Sequence, residues 1–332
     1  MSDHQQNKQL TRQYFADMEA AGDGRAVILQ QYMASDYRFY GVHPFNELHG
    51  ADEVSKRVWQ PLYHSFTSLQ RRQDVFIAGK SEIDGDNWVM SMGHFMGLFD
   101  HAWLEIPPTR KIAMLRYAEF HCVRNGKITR SGFWCDIIGL MMQAGINPLP
   151  PSTGQYFVYP GPRDHDGLQW DEQDPAEGEK TLALLNRMIA DLSALNVSGN
   201  DRCDPEVLQR TWRDDMAWYG PAGIGASYTI DRYQLQHQYP FREGLKDKVF
   251  NGHVCRFAEG NYACFFGWPN LTNSPVGGFL GLPGNNSRAD MRVVDVYRRE
   301  GDKLAENWVL IDLPYWLLQQ GLDILGRTES IY

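Results

Sequence analysis

Leu10, Tyr14, Phe15 and Met18 fall at i, i+4, i+5 and i+8, a spacing that puts one apolar stripe on a helix. Gly22-Asp23-Gly24 breaks the pattern, and Val27, Ile28 and Tyr32 resume it in a second, shorter helix. A strand or turn at 36–41 follows, then Val54, Val58 and Leu62 return to helical spacing. From Asp74 the texture becomes β, with candidate strands at Asp74–Gly79, Trp88–Phe99, Lys111–Arg124 and Lys127–Ile138. Asn125-Gly126, between the last two, is a type I′ hairpin signal. A short helix closes the unit. Helices first and an antiparallel meander after them predict an α+β domain, with the helices packed on one face of the sheet.

The same order then occurs again. Leu182, Leu185, Ile189 and Leu192 mark a helix, Asp204-Pro205 starts another, and strands are expected at Lys248–Ala258, Tyr262–Trp268, Met291–Arg299 and Leu304–Ile311. Gly126–Gly145 and 302–321 align without a gap at an offset of 176, pairing Lys127 with Lys303, Asp136 with Asp312, Gln143 with Gln319 and Gly145 with Gly321. The offset carries back to Arg116 with Arg292 and Glu119 with Asp295. Upstream, Asp36–Phe66 aligns with Asp215–Leu245 at 179, pairing Tyr40-Gly41 with Tyr219-Gly220 and Pro61 with Pro240. So long a period indicates two whole domains rather than a solenoid. Residues 1–147 form the first and 179–332 the second. Residues 148–178 are a proline-rich linker, ordered because Tyr156, Phe157, Tyr159 and Trp170 need cover.

A length of 332 residues suits two cores. A net charge of −9 with no basic run argues against nucleic acid as a partner. No apolar stretch is long enough for a membrane span, and the polar N-terminus lacks a secretory h-region. Five cysteines without CxxC spacing read as reduced, buried thiols of a cytoplasmic protein.

The repeated acids suggest chemistry. Counting pairs outward from the Asn125-Gly126 turn sets Tyr117 opposite Trp134 and Leu115 opposite Asp136. Asp136, Trp134, Tyr117, Glu119 and His121 would then share a concave face. In the second copy alternation groups Asp312, Leu310, Trp308 and Glu306, and the 176 offset adds Asp295 and Tyr297. A few acids among aromatic residues have the composition of a small-molecule pocket. Glu119 lies about 13 Å from Asp136 at roughly 3.3 Å per residue, so each acid acts singly. A lone carboxylate desolvated by aromatic walls suits a general acid or base near neutral pH. Equally, Asp136 and Asp312 stand where a helix cap belongs, with Pro314 just inside the second helix.

These residues carry a family resemblance. The order helix, Gly-Asp break, helix, Tyr-Gly, His-Gly-Ala-Asp-Glu-Val, then strand, Asn-Gly-Lys-Ile, strand, Asp-xx-Gly-Leu-xx-Gln-x-Gly resembles the SnoaL-like polyketide cyclases, of the nuclear-transport-factor-2-like superfamily. It covers both halves and most of the chain outside the linker. The resemblance implies tandem cone-shaped α+β barrels packed as a pseudo-dimer within one chain. It also implies an aspartate general acid/base at Asp136 and Asp312, working without cofactor or metal on an aldol-type ring closure. The family's tryptophan four residues before that aspartate is present as Trp308 but replaced by Gly132 in the first copy, which favours Asp312 as the working acid.

Trp218, Tyr219, Trp268 and Trp308, with His253 and Asp295, are the substrate-binding candidates of the second copy; Tyr117, His121 and Trp134 are those of the first. Trp218–Gly225 is rich in glycine, which allows close backbone approach to a ligand. No HxH or HExxH spacing suggests a metal. The expected activity is an aldol-type cyclisation, an isomerisation or a dehydration (isomerase or lyase chemistry) on a small hydrophobic or polyoxygenated carbonyl compound. A binding or scaffolding protein whose two acids are only caps is the alternative, and homo-oligomerisation is left open.

Overall fold

The computed structural model describes residues 2–285 and 287–331. Each half curls one sheet around its helices. The first sheet runs β2(Glu47–His49), β1(Met33–Gly41), β6(Lys127–Cys135), β5(Ile112–Arg124), β4(Asn87–Phe99), β3(Phe66–Lys80). The second runs β10(Cys255–Glu259), β11(Tyr262–Pro275), β12(Ala289–Glu300), β13(Lys303–Ile311), β7(Trp212–Tyr219), β8(Ala226–Tyr228), with β9(Leu245–Phe250) also on β11. Both are meanders to which β1 or β7 adds in parallel beside the last long strand. No helix among the described residues is long and apolar enough to cross a membrane.

The halves differ at one edge. In the first, β3 is a single strand of 15 residues. In the second, its counterpart is broken into β9 and β10, both paired with β11. His253 therefore sits in the break between two strands rather than within one.

The residues shared by the halves are explained by local structure. Asp136 and Asp312 cap the helices that follow, accepting from the amides of Gly139 and Tyr315 at 2.9 and 3.2 Å. Gln143 bonds both backbone groups of Met114, and Gln319 does the same with Asp290. Gly145 and Gly321 both hold φ +82°, a left-handed conformation ending those helices that suits glycine. Repetition here marks how the last strand hands over to its helix.

The linker is ordered. Phe76 bridges Leu168 and Gln155 bridges Ala226, while Tyr159 is buried. The first helix of the second half starts at Pro175, capped by Asp174, four residues before the expected boundary.

One register expectation fails, and it changes which residues the last long strand of each half turns inward. The turn does pair Val123 with Ile128, but a bulge at Thr129 then puts Cys122 opposite Arg130 and Tyr117 opposite Cys135. The second hairpin carries the same bulge at Ala305, leaving Asp295 opposite Val309 and Val296 opposite Trp308. An extra residue shifts the alternation by one, so Trp134 and Trp308 leave the concave face and Phe133 and Val309 join it.

The convex faces pack against one another. Phe266 lies 4.9 Å from Phe120 and 5.1 Å from Trp134, ring to ring. A Cβ added at Gly132 would sit 3.1 Å from Phe266, so glycine there allows the sheets to close rather than removing a pocket wall.

Candidate functional site

The shifted register places Asp136 and Asp312 on the seam between the halves. Asp136 accepts from the amide of Ala222 through the oxygen not used for capping, at 2.9 Å. Asp312 accepts from the amide of His43 in the same way, at 2.9 Å, and from Arg292 at 3.3 Å. Burial pushes Asp312 up to about 7, against the opposing pull of Arg292 and the amides of His43 and Tyr315. It raises Asp136 as well, against Ala222, Arg116 and Gly139. Neither acid borders the cavity of the second half described below. Their oxygens are engaged by capping and by the opposite half, which gives both acids a structural task beside the proton transfer expected of them.

The other expected residues divide three ways. Trp134 donates from Nε1 to the Arg292 carbonyl, and Trp268 donates to that of Gly41, so both belong to the seam. Trp308 stacks on Tyr219 at 5.5 Å and donates to Pro160 of the linker, which removes both from the concave face. The glycine-rich 218–225 stretch is approached by the linker instead of a ligand: a Cβ on Gly225 would meet Gly154 at 2.5 Å. Tyr117 and His121 do face the interior of the first half, but that interior is filled. Of the expected residues, Trp218, His253 and Asp295 line an open cavity inside the second half.

That cavity encloses about 220 Å³ between the 175–198 helix, the helical stretch 230–244 and the concave face of β11–β13. Its contrast with the first half can be followed position by position through strand register. Tyr117, Phe133 and Phe95 of the first sheet correspond to Val293, Val309 and Leu271 of the second. Each exchange removes an aromatic ring from the floor. At the edge, Arg71 pairs with Phe95 as Phe250 pairs with Leu271. Arg71 turns inward across Phe15, 3.8 Å from its ring centroid, and binds Glu119 at 2.6 Å. Glu119 also approaches His121 at 3.1 Å. Burial alone would raise the Glu119 pKa, but Arg71 and His121 hold it below the ordinary carboxylate range. The first half is thus plugged by an ion pair and three rings.

Asp295 occupies the position of Glu119 but, among the described residues, has no cation beside it. Its Oδ1 accepts from Tyr297 Oη at 3.0 Å and Asn307 Nδ2 at 3.2 Å. Its Oδ2 makes no hydrogen bond to another described residue. Burial raises the group to about 6, and the two donors only moderate the rise. Two imidazoles lie flat on the walls: His237 stacks on Trp218 at 4.0 Å and 15°, and His253 on Phe265 at 3.8 Å and 13°. Burial lowers both to about 3, so both are neutral at physiological pH. Arg242 is the one formally cationic residue on the described lining, and it is engaged by the carbonyls of Leu195 and Asn200 and by Asn196.

His237, Tyr233, Asn307 and Phe265 were not among the expected site residues. The 179 offset held the cue for two of them, since it sets Tyr233 against Val54 and His237 against Val58. The two bulges carry no comparable signature. Among the described residues, no group of three or more His, Cys, Asp or Glu side chains is placed to hold a metal ion.

Comparison with known proteins matches no family model and no curated protein. Solved structures do match. A candidate SnoaL-like polyketide cyclase from Jannaschia sp. CCS1 is 17% identical over 46% of this chain and 98% of its own, with a TM-score of 0.35. A candidate polyketide cyclase from Xanthomonas campestris pv. campestris is 16% identical over 43% and 99%, TM-score 0.35. An NTF2-like protein from Burkholderia xenovorans LB400 is 12% identical over 43% and 96%, TM-score 0.33. Each of these chains corresponds in length to about half of this one.

Proposed function

We propose that the second half is a general acid/base enzyme for a neutral, planar carbonyl compound, with Asp295 as the proton-transfer group. One observation carries this reading: a carboxylate in an apolar cavity, fixed through one oxygen by Tyr297 and Asn307, keeps its other oxygen unbonded. Such a group can take a proton from carbon beside a carbonyl and return it elsewhere. Aldol-type cyclisation, isomerisation and dehydration all begin in that way. Flat aromatic walls suit a planar molecule, and a lining whose one cation is already engaged suits an uncharged one. The first half, filled by Arg71 and its neighbours, supports the fold without turning over substrate.

Proton exchange tests this whatever the final product is. Cyclic ketones and enones are incubated with the protein in deuterium oxide, and loss of the α-proton signals is followed by NMR. Exchange with the native protein and none with Asp295→Asn is expected. Equal exchange by both would remove Asp295 from the role.

A further inference from the structure

The cavity contains a second polar group that the proton-transfer reading leaves unused. His237 lies in the π-helical turn Gln234–Gln238, on the helical wall. Isolated π-turns inside α-helices occur often at functional sites because they re-aim side chains. Trp218 backs the ring at 4.0 Å, and Tyr233, on the same wall, lies 5.5 Å from it. Neither ring nitrogen hydrogen-bonds another described residue, and Nδ1 is fully enclosed, which leaves Nε2 as the nitrogen open to a ligand. An imidazole nitrogen on the wall of a cavity gains a partner when a ligand supplies one, as buried polar groups require.

The chain contains its own control. The first half has the same π-turn, Ser55–Trp59, and there Val58, fully buried, stands in place of His237. A π-turn alone therefore does not require histidine. The polar side chain accompanies the open cavity and the free carboxylate, and valine accompanies the plug.

We propose that His237 is a second catalytic residue, donating a hydrogen bond from its neutral imidazole to the substrate's carbonyl oxygen. This rests on the reading of Asp295 as the base. When Asp295 takes the proton, the C–H electron pair becomes the C=C bond of an enolate and the carbonyl π pair moves onto oxygen. The His237 N–H holds that oxygen without giving up its proton. The proton on Asp295 then passes to another carbon of the same molecule, or to a departing hydroxyl that leaves as water. A donor aimed at the site of developing charge is the most effective placement for such a group. A neutral imidazole is suited to it, because it donates without introducing a charge into an apolar space.

The probe is 2-naphthol, whose planar rings and hydroxylic oxygen imitate an enolised ketone, with naphthalene as the ring-only control. Binding is read by naphthol fluorescence on the intact chain, for the native protein, His237→Val and Asp295→Asn. Valine is the residue that the sister turn already accommodates. We expect naphthol to bind the native protein, His237→Val to weaken it about tenfold or more, and naphthalene, which loses only the flat wall, to be weakened distinctly less. Asp295→Asn should keep or strengthen naphthol binding, since it removes a negative neighbour. An unchanged naphthol affinity in His237→Val, or an equal loss for both probes, overturns the role of His237 and leaves Asp295 as base untouched. Failure of the native protein to bind either probe overturns the reading of the cavity itself, and the inference with it.

Discussion

Asp136 accepts a hydrogen bond from the backbone amide of Ala222, in the other half of the chain, while the same carboxylate caps its own helix. Asp312 reciprocates across the seam with His43. Each acid therefore joins three things: the end of a sheet, the start of a helix and the opposite domain. Both oxygens of each are used.

An amide cannot replace such a carboxylate, because its NH₂ would face one of the two N–H donors. Asp136→Asn and Asp312→Asn should each lower stability by roughly 1–3 kcal/mol, the cost of an unsatisfied buried donor. Thermal melts of the two variants, beside α-proton exchange at a temperature where both are folded, check this. Native-like exchange per folded molecule is expected, and a stable Asp312→Asn protein that has lost exchange would return that acid to catalysis.

Asp295 gives opposite signs for activity and stability. As a base raised to about 6, it should give a kcat/KM that is half-maximal near that pH and falls towards acid. In the folded protein the carboxyl keeps its proton over a window, above the ordinary aspartate value of 3.8 and up to about 6, where the unfolded chain has released it. Its contribution to stability is therefore full below that window and lost as the pH rises through it. Asp295→Asn, which does not titrate, should match the native protein near pH 4. At pH 8 it should be more stable, by on the order of 2–3 kcal/mol. Denaturant melts at the two pH values measure the difference.

Trp308→Ala separates the seam from the cavity. The indole is 2% exposed, stacked on Tyr219 and bonded to the linker at Pro160. Its loss should cost roughly 3–5 kcal/mol, as for other buried large aromatics. Naphthalene affinity in the cavity should change less than twofold, and a large loss of affinity without loss of stability would contradict the register described above.

The plug of the first half can be tested as a coupled pair. Arg71→Met leaves Glu119 buried beside no arginine and should cost roughly 3–5 kcal/mol. Adding Glu119→Gln should recover much of that loss, giving a clear coupling energy in a double-mutant cycle. Additive effects would mean that the pair does not act as a unit.

The sequence made the architecture readable because duplicated caps, glycines and turn residues recur at fixed offsets. Lys127, Gln143 and Gly145 each have a partner doing the same local job. The same signal points to the two acids of the seam and not to the one in the cavity. Asp136 and Asp312 are repeated because both halves need the seam, whereas Glu119 and Asp295 differ with the filled interior of one half and the open interior of the other. The bulges at Thr129 and Ala305 were invisible, having no glycine or proline to announce them. One inserted residue per hairpin was enough to exchange Trp308 for Val309 on the concave side. His237 was hidden differently, since its environment is set by Trp218 and by a sheet floor distant in sequence.

The exchange of contacts across the seam has a consequence for how such a molecule can change. In an assembly of two identical chains every substitution is made twice, so an arginine at position 71 would close both interiors. One chain holding both domains escapes that equality. Each domain can be altered while the other stays as it was, and the contacts that hold them together survive the divergence. Arg71 on one side and Phe250 on the other are such a divergence: one interior has been closed while the other stays open.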